Sequence, residues 1–325
     1  MPKVSIIMPV YNAAATLQRS LDSIKAQTFR DFEVEFVDDC CTDETPNMVA
    51  SFASESRIEC RIFRQERNGG VATARNRGLD VAQGEFVVWV DADDAIAPDA
   101  IEKAVSLADK DGLDIVGWDW TLGFEKNGRY MRQADYGCPL DAMKALMGGT
   151  MRWNLWLFLT RKSVLDNNEI RFIDGANMGE DMMLMLRAFA KAGKVGQIHE
   201  SLYEYNAVST SSISRQFSAE RRAEVSRNMA EAESAILSSP YAAVLSEYLD
   251  YLKLYIKLPL IISSDRDNYR TWYAWFPESN HAAGANRALP FRTRMVQWMA
   301  AHKMWTGVKL YYLFVYKFVY GIIYR

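Results

Sequence analysis

Residues 84–99 read GEFVVWVDADDAIAPD. Five apolar residues, Phe86 to Val90, run directly into Asp91, Asp93 and Asp94. A short apolar run of this kind reads as a strand buried on both faces of a sheet. Carboxylates so close together repel one another and resist leaving water, so something positive should sit among them. The Asp-x-Asp spacing is weak by itself, because Asp109/Asp111 and Asp265/Asp267 repeat it in polar surroundings that suit solvated surface. Position sets residues 91 and 93 apart, at the carboxyl end of a buried strand. A hard divalent cation bound to diphosphate oxygens would use one or two carboxylates there. A capped turn opened by Asp94 or Asp99 accounts for the same spacing without a ligand.

Working outward, three earlier runs resemble FVVWV: VSIIMPV at 4–10, FEVEFV at 32–37 and IECRIF at 58–63. Between them, Leu17, Leu21 and Ile24 share one helical face, residues 45–54 begin Thr-Pro, and 71–82 are rich in Ala and Leu. Strand and helix alternating at this spacing predict a mostly parallel sheet with crossover helices. In such a sheet ligands bind beyond the carboxyl ends of the strands. Three of the ends are distinctive: Tyr11-Asn12, Asp38-Asp39 and Asp91-Ala92-Asp93. All three should open on one edge, giving a single crevice with a tyrosine and two acidic clusters.

Further along, DIVGWDW and WNLWLFLT read as strands, and a helix is expected from about Met182 to Ala192. Residues 219–262 are helical in pattern with a break at Pro259, 263–293 read as a loop-rich bridge, and the last thirty or so read as helix again.

The chain has 325 residues, 49% hydrophobic, enough for one large domain or two ordinary ones. Its net charge of −3 hides an asymmetry: after Glu278 there is no acidic residue, yet seven basic ones follow. Residues 1–286 therefore carry −10, since −3 minus +7 is −10. The acidic body argues against nucleic acid as a partner. Four cysteines without paired metal-ligand spacing, few histidines and an N-terminus that starts at once as a strand suit a reducing, cytoplasmic setting.

MPVYN, VDDCCTDET and NGGVATARNRGLDVAQGEFVVWVDADD, in that order, resemble the family 2 glycosyltransferases, the inverting group with the GT-A fold. The likeness extends to Ser23-Ile24-Lys25-Ala26-Gln27-Thr28 and to Glu180-Asp181, and it covers residues 3–215. It implies a GT-A catalytic domain at 1–215 with a Rossmann-like nucleotide-binding half. A helical C-terminal extension at 216–325 would follow, with a basic aromatic tail from about 290. The implied donor is a nucleotide sugar, a UDP-sugar foremost, with Mn²⁺ or Mg²⁺ as cofactor and a glycan or lipid-linked acceptor. Pro9, Tyr11, Asp39, Arg75, Asp91 and Ala92 would hold the nucleotide sugar. Within that set Tyr11 lines the uracil pocket, Asp39 accepts from the ring NH, and Arg75 with Asn76 lies near the diphosphate or sugar. Asp93 would contact the metal. Asp181 would be the general base, with Glu180 as the second choice. Arg75 also reads as an exposed helix charge, and Asp181 as a helix N-cap.

One departure stands out: the family's Gly-Ser after Asp-Asp is Cys40-Cys41 here, and Cys does not readily take the positive φ that Gly tolerates. Two small thiols are expected rather than a vicinal disulfide. LYEYNAVSTSSIS at 202–214 is expected to form a loop over the acceptor, and His199 to be structural.

The run KLYYLFVYKFVYGIIYR at 309–325 is too short and too basic to span a bilayer. It suits the cytoplasmic face of the inner membrane or a helical dimer contact. Rival enzymes lack their motifs: there is no Gly-x-Gly-x-x-Gly after the first strand and no Gly-Lys-Ser/Thr. A catalytically degenerate sugar-nucleotide-binding scaffold is the non-enzymatic alternative.

Overall fold

The computed structural model describes residues 1–124, 127–207 and 218–319, with side chains through 315. Two compact units emerge, one of residues 1–142 and 153–235, the other of 143–152 and 236–325. Residues 218–235 thus belong to the first unit.

The first unit opens with β1 (Val4–Val10), α1 (Leu17–Lys25), β2 (Phe32–Asp38), α2 (Thr45–Glu55), β3 (Glu59–Arg64), α3 (Gly70–Val81) and β4 (Phe86–Trp89). There follow β5 (Ala95–Ile96), α4 (Ala100–Asp111), β6 (Ile115–Gly123), β7 (Gly128–Met131) and α5 (Pro139–Met147). Then come β8 (Phe158–Arg161), α6 (Lys162–Asp166), α7 (Glu180–Lys191), β9 (Val195–Asn206) and α8 (Ala219–Leu237). Among the described residues the sheet order is β3-β2-β1-β4-β8-β6-β9-β5, with β7 beside β6. The pairings run β1–β4, β6 and β9 one way and β5, β7 and β8 the other, so the sheet is mostly parallel.

β1 and β4 are buried nearly throughout, as their apolar runs require. β2 is fully buried too, although it carries Glu33 and Glu35. Ser5 donates to Glu33 (2.6 Å) and Arg61 on β3 pairs with both carboxylates, so the charges enter the core already partnered. Desolvation is the largest effect on Glu35, pushing it up to about 7. Asp39 N donates to Val10 O (3.0 Å) and Val90 N to Ile7 O (3.1 Å), which levels the carboxyl ends of β2, β1 and β4 on one edge.

Some expected elements differ. In WNLWLFLT only Phe158 onward pairs as strand, because Leu155–Leu157 form a 3₁₀ turn. The segment 202–206 is the end of β9 and not a loop, while 208–214 lie outside the described residues.

The second unit is helical: α9 (Ala242–Ile256), α10 (Leu258–Ile261), α11 (Arg266–Ala274), α12 (Phe291–Ala301) and α13 (Trp305–Tyr311), continued by a π-helical stretch Tyr312–Val319. Pro259 sits in the first turn of α10, where its missing N–H costs nothing. The expected loop-rich bridge contains α11 and a 3₁₀ helix at Pro277–Ala282. Asp265 caps α11 by accepting from Asp267 N (2.9 Å), a signal its polar surroundings concealed.

Candidate active site

At the carboxyl end of β4 the acidic groups converge on Arg75. It lies on the sheet-facing side of α3, 4% exposed, which overturns its reading as a solvated helix charge. Its Nη1 donates to Asp181 Oδ1 (2.7 Å) and Glu180 Oε1 (2.9 Å), and its Nη2 to Asp91 Oδ1 (3.2 Å). The positive charge that the acidic knot demands is therefore supplied in part by the chain itself. Burial alone would lower the guanidinium's pKa, but Asp181, Asp91 and Glu180 outweigh it and raise the value. Arg75 Nε is buried with no hydrogen-bond partner among the described residues.

The three carboxylates after β4 have separate surroundings. Asp91 reaches Arg75; desolvation pushes its pKa up to about 6, against the pull of Arg75 and with Asp181 and Asp93 adding to the rise. Asp94 is fully buried. It accepts from Tyr203 Oη (2.9 Å) and Asn206 N (2.8 Å), and burial, then Asp91 and Asp93, push it up to about 8. Asp93 lies between them, half-buried. Ala92 O accepts from Thr16 Oγ1 (3.2 Å), which ties the turn to α1. Among the described residues no three His, Cys, Asp or Glu side chains gather as a metal centre. Mg²⁺ or Mn²⁺ held largely by diphosphate oxygens and water needs only one or two carboxylates, and this turn can provide them.

α7 begins after Gly179, whose φ of 78° is open to glycine. Glu180 and Asp181 occupy its first turn, while Met182, Met183 and Met185 enter the core. Asp181 does not cap the helix. Its carboxylate reaches Arg75 and accepts from Leu155 N (3.4 Å). Glu180 is buried, and desolvation followed by repulsion from Asp181 pushes its pKa well up.

On the nucleotide side, Tyr11 is 55% exposed at the tip of β1, and Pro9 pairs with Val37 just before it. Asp39 is buried: Oδ1 accepts from Gly69 N (2.7 Å) and Gln65 Nε2 (2.7 Å), and Oδ2 from Gly70 N (2.8 Å). Asp39 thereby covers the first turn of α3, and Asn177 Oδ1 accepts from Ala72 N (3.0 Å) beside it. Gly70 (φ 80°) is required there, because a Cβ would stand 2.3 Å from the Asn177 amide. Asn76 spends its amide on Phe172 and Asp174, tying α3 to the segment before α7. Cys40 takes φ 64° despite its side chain, and both Cys40 and Cys41 are free thiols.

Sequence reasoning missed Tyr203. Its hydroxyl accepts from Asp91 N (3.1 Å) while donating to Asp94, so it fixes both ends of the acidic turn. Trp156 stacks on its ring (4.4 Å, 10°), one residue from the Leu155 amide that meets Asp181. The Tyr203-Glu204-Tyr205 spacing within LYEYN was the available signal. His199 bridges Asp119 (3.1 Å) and Asp135 (2.8 Å), away from these groups in the hydrogen-bond network.

A mostly parallel sheet with crossover helices, whose β4 end carries a carboxylate turn linked through Arg75 to the acidic pair on α7, is a GT-A-type architecture. The chain belongs to glycosyl transferase family 2, whose family model matches residues 5–185. Relatives include the glycosyltransferase EpsJ of Bacillus subtilis, 31% identical over 63% of this chain and 61% of its own length. Another is the succinoglycan biosynthesis protein ExoO of Rhizobium meliloti, 29% identical over 66% and 63%. The chain thus spans less than two thirds of the length of these curated relatives. Among solved structures, Staphylococcus aureus TarS 1–349 in complex with UDP-GlcNAc superposes with a TM-score of 0.75 at 20% identity, covering 96% of this chain and 91% of that one. The mannosyltransferase PcManGT of Pyrobaculum calidifontis, with GDP-Man and Mn²⁺, gives 0.56 at 21% identity, covering 96% and 85%. These likenesses establish the fold.

Proposed function

We propose that the chain is an inverting glycosyltransferase. It moves a sugar from a nucleotide sugar, a UDP-sugar foremost, to a hydroxyl of a glycan or lipid-linked acceptor in cell-surface polysaccharide synthesis. The observation that carries this reading is Arg75, which draws the proposed base and the acidic turn into one crevice. The UDP-GlcNAc complex of TarS supports a UDP donor, and the Mn²⁺ in PcManGT supports a divalent ion.

In this reading Tyr11 offers its exposed ring to the base. Asp39 Oδ2, which accepts from Gly70 N (2.8 Å), offers its second lone pair to the ring NH. Asp91 and Ala92 face the ribose and donor sugar, and Arg75 stabilises charge beside them. Asp93 would hold Mn²⁺ or Mg²⁺, which when bound neutralises negative charge on the leaving diphosphate. Asp181 takes the acceptor hydroxyl's proton as that oxygen bonds to the anomeric carbon. The carbon–phosphate-oxygen bond breaks in the same step, its electron pair leaves with the nucleotide diphosphate, and the anomeric carbon inverts.

The test pairs binding with turnover. UDP, GDP, CDP and their common sugars are screened by thermal shift with Mn²⁺, Mg²⁺ or EDTA, and Asp181→Asn is assayed beside the native chain. We expect a metal-dependent shift with UDP ligands in both proteins and transfer only in the native one. Near-normal transfer by Asp181→Asn would place the base elsewhere. Binding without transfer by the native chain to any glycan or lipid-linked acceptor would favour the degenerate scaffold.

A further inference from the structure

The helical unit carries a surface that glycosyl transfer does not use. Of the thirteen large apolar side chains exposed among the described residues, six lie between residues 291 and 314. Phe291 (73% exposed) and Trp298 stand one heptad apart on α12, so they share a face. Leu310, Leu313 and Phe314 (64% exposed) fall at helical spacing on α13 and its continuation. The two helices pack against one another.

The charges that this segment itself carries have one sign. Arg287 and Arg292 are exposed on either side of Phe291 in the sequence, Lys303 is exposed with its ammonium over the Tyr273 ring (4.5 Å), and Lys309 is half-buried on α13. No carboxylate side chain occurs after Glu278, in a chain whose preceding residues are acidic overall. Isolated exposed apolar residues are ordinary, but an apolar and aromatic stretch whose own charges are all basic is complementary to one kind of surface. Apolar side chains enter the acyl boundary of a lipid leaflet, Trp suits the interface, and bases meet anionic headgroups. No helix among the described residues is long and apolar enough to cross a membrane, so the contact would lie in the plane of the surface. We propose that α12 and α13 form a docking face for an anionic lipid surface.

The test uses the full chain and sedimentation with vesicles of phosphatidylcholine alone or with phosphatidylglycerol at a third of the lipid. We expect binding to the anionic vesicles that weakens as salt rises, with little binding to phosphatidylcholine. Each base near the surface contributes roughly five-fold in affinity, so Arg287→Glu with Arg292→Glu should weaken binding at least ten-fold. Leu310→Glu with Phe314→Glu should abolish it, with donor binding and melting temperature unchanged because these positions are exposed. Absence of binding to anionic vesicles at low salt would overturn the proposal. It would also be overturned if the charge reversals left binding intact. A third adverse result would be a self-associating native chain that the Leu310/Phe314 variant turns monomeric without either protein binding vesicles, which would assign the face to a second copy.

Discussion

At the scale of the residue, Arg75 reconciles two demands. The acidic turn and the acidic pair on α7 stand close together around one guanidinium, and without a cation they would drive each other apart. Arg75 meets three carboxylates with one planar group, which a lysine could not do with the same geometry. Arg75→Met should therefore leave three carboxyls around an apolar side chain and cost about 3–5 kcal/mol. That corresponds to a fall in melting temperature of roughly 6–15 °C. The deficit should narrow as pH falls, since protonation removes the repulsion that the substitution exposes. Melting curves at pH 5 and pH 8 test both parts; a deficit independent of pH would mean that packing, not charge, explains the loss. Cys40 shows the opposite economy. Its φ of 64° keeps the left-handed turn that Gly would adopt freely, at a cost of about 1–2 kcal/mol. Its Sγ donates to Gln65 O (3.1 Å), which offsets part of this.

At the scale of the element, the turn from Asp91 to Asp94 links stability to readiness for substrate. Asp94 and Asp91 both hold their protons more tightly in the folded chain than in an unfolded one, near 8 and 6 against an ordinary 3.8. A carboxyl of this kind contributes its full stability below its unfolded value and loses it as pH rises through the folded one. The turn should thus weaken from about pH 4 to 8. Donor and metal binding should move the other way, improving as Asp91 ionises through about pH 6. Asp94→Asn removes the larger of the two proton-linked contributions while keeping an acceptor for Asn206 N. Its melting temperature should fall less between pH 5 and pH 8 than that of the native chain. Equal slopes for the two proteins would show that Asp94 does not set the trend. The sequence announced this turn by position and composition, and it placed Asp91 and Asp93 at a strand end. It could not distinguish Asp94 from its neighbours, because that difference rests on Tyr203 and Asn206, more than a hundred residues away. The same holds for Arg75, whose partners lie partly on α7: periodicity marks a helix face but not which distant acids meet it. The first four strands were legible because apolar runs report burial directly. WNLWLFLT misled because an apolar run does not separate a buried 3₁₀ turn from a strand.

At the scale of the whole molecule, the chain joins an α/β unit, rich in carboxylates at its strand ends, to a helical unit whose later residues are basic and apolar. Composition alone showed that asymmetry, but the sequence did not separate exposed aromatics from core ones. Val296, Ala300 and Val308 turn inward on the same helices that expose Phe291, Trp298 and Leu310. If the two halves serve two ligands, each ligand should leave its own footprint in amide hydrogen exchange. A UDP-sugar with Mn²⁺, at about a hundred times its dissociation constant, should add nearly 3 kcal/mol to the folded state of the unit that binds it. Amides there that exchange only by unfolding should then slow about a hundred-fold. Protection is expected in peptides spanning 38–42, 68–76, 90–95 and 179–182, where backbone groups surround the crevice. Anionic vesicles should instead protect peptides within 291–315 and leave the strand-end peptides unchanged. Donor protection confined to 291–315, or vesicle protection centred on the acidic turn, would mean that the functions have been assigned to the wrong halves of the chain. Separate footprints would show that the acidic strand-end site and the basic helical segment answer to different partners.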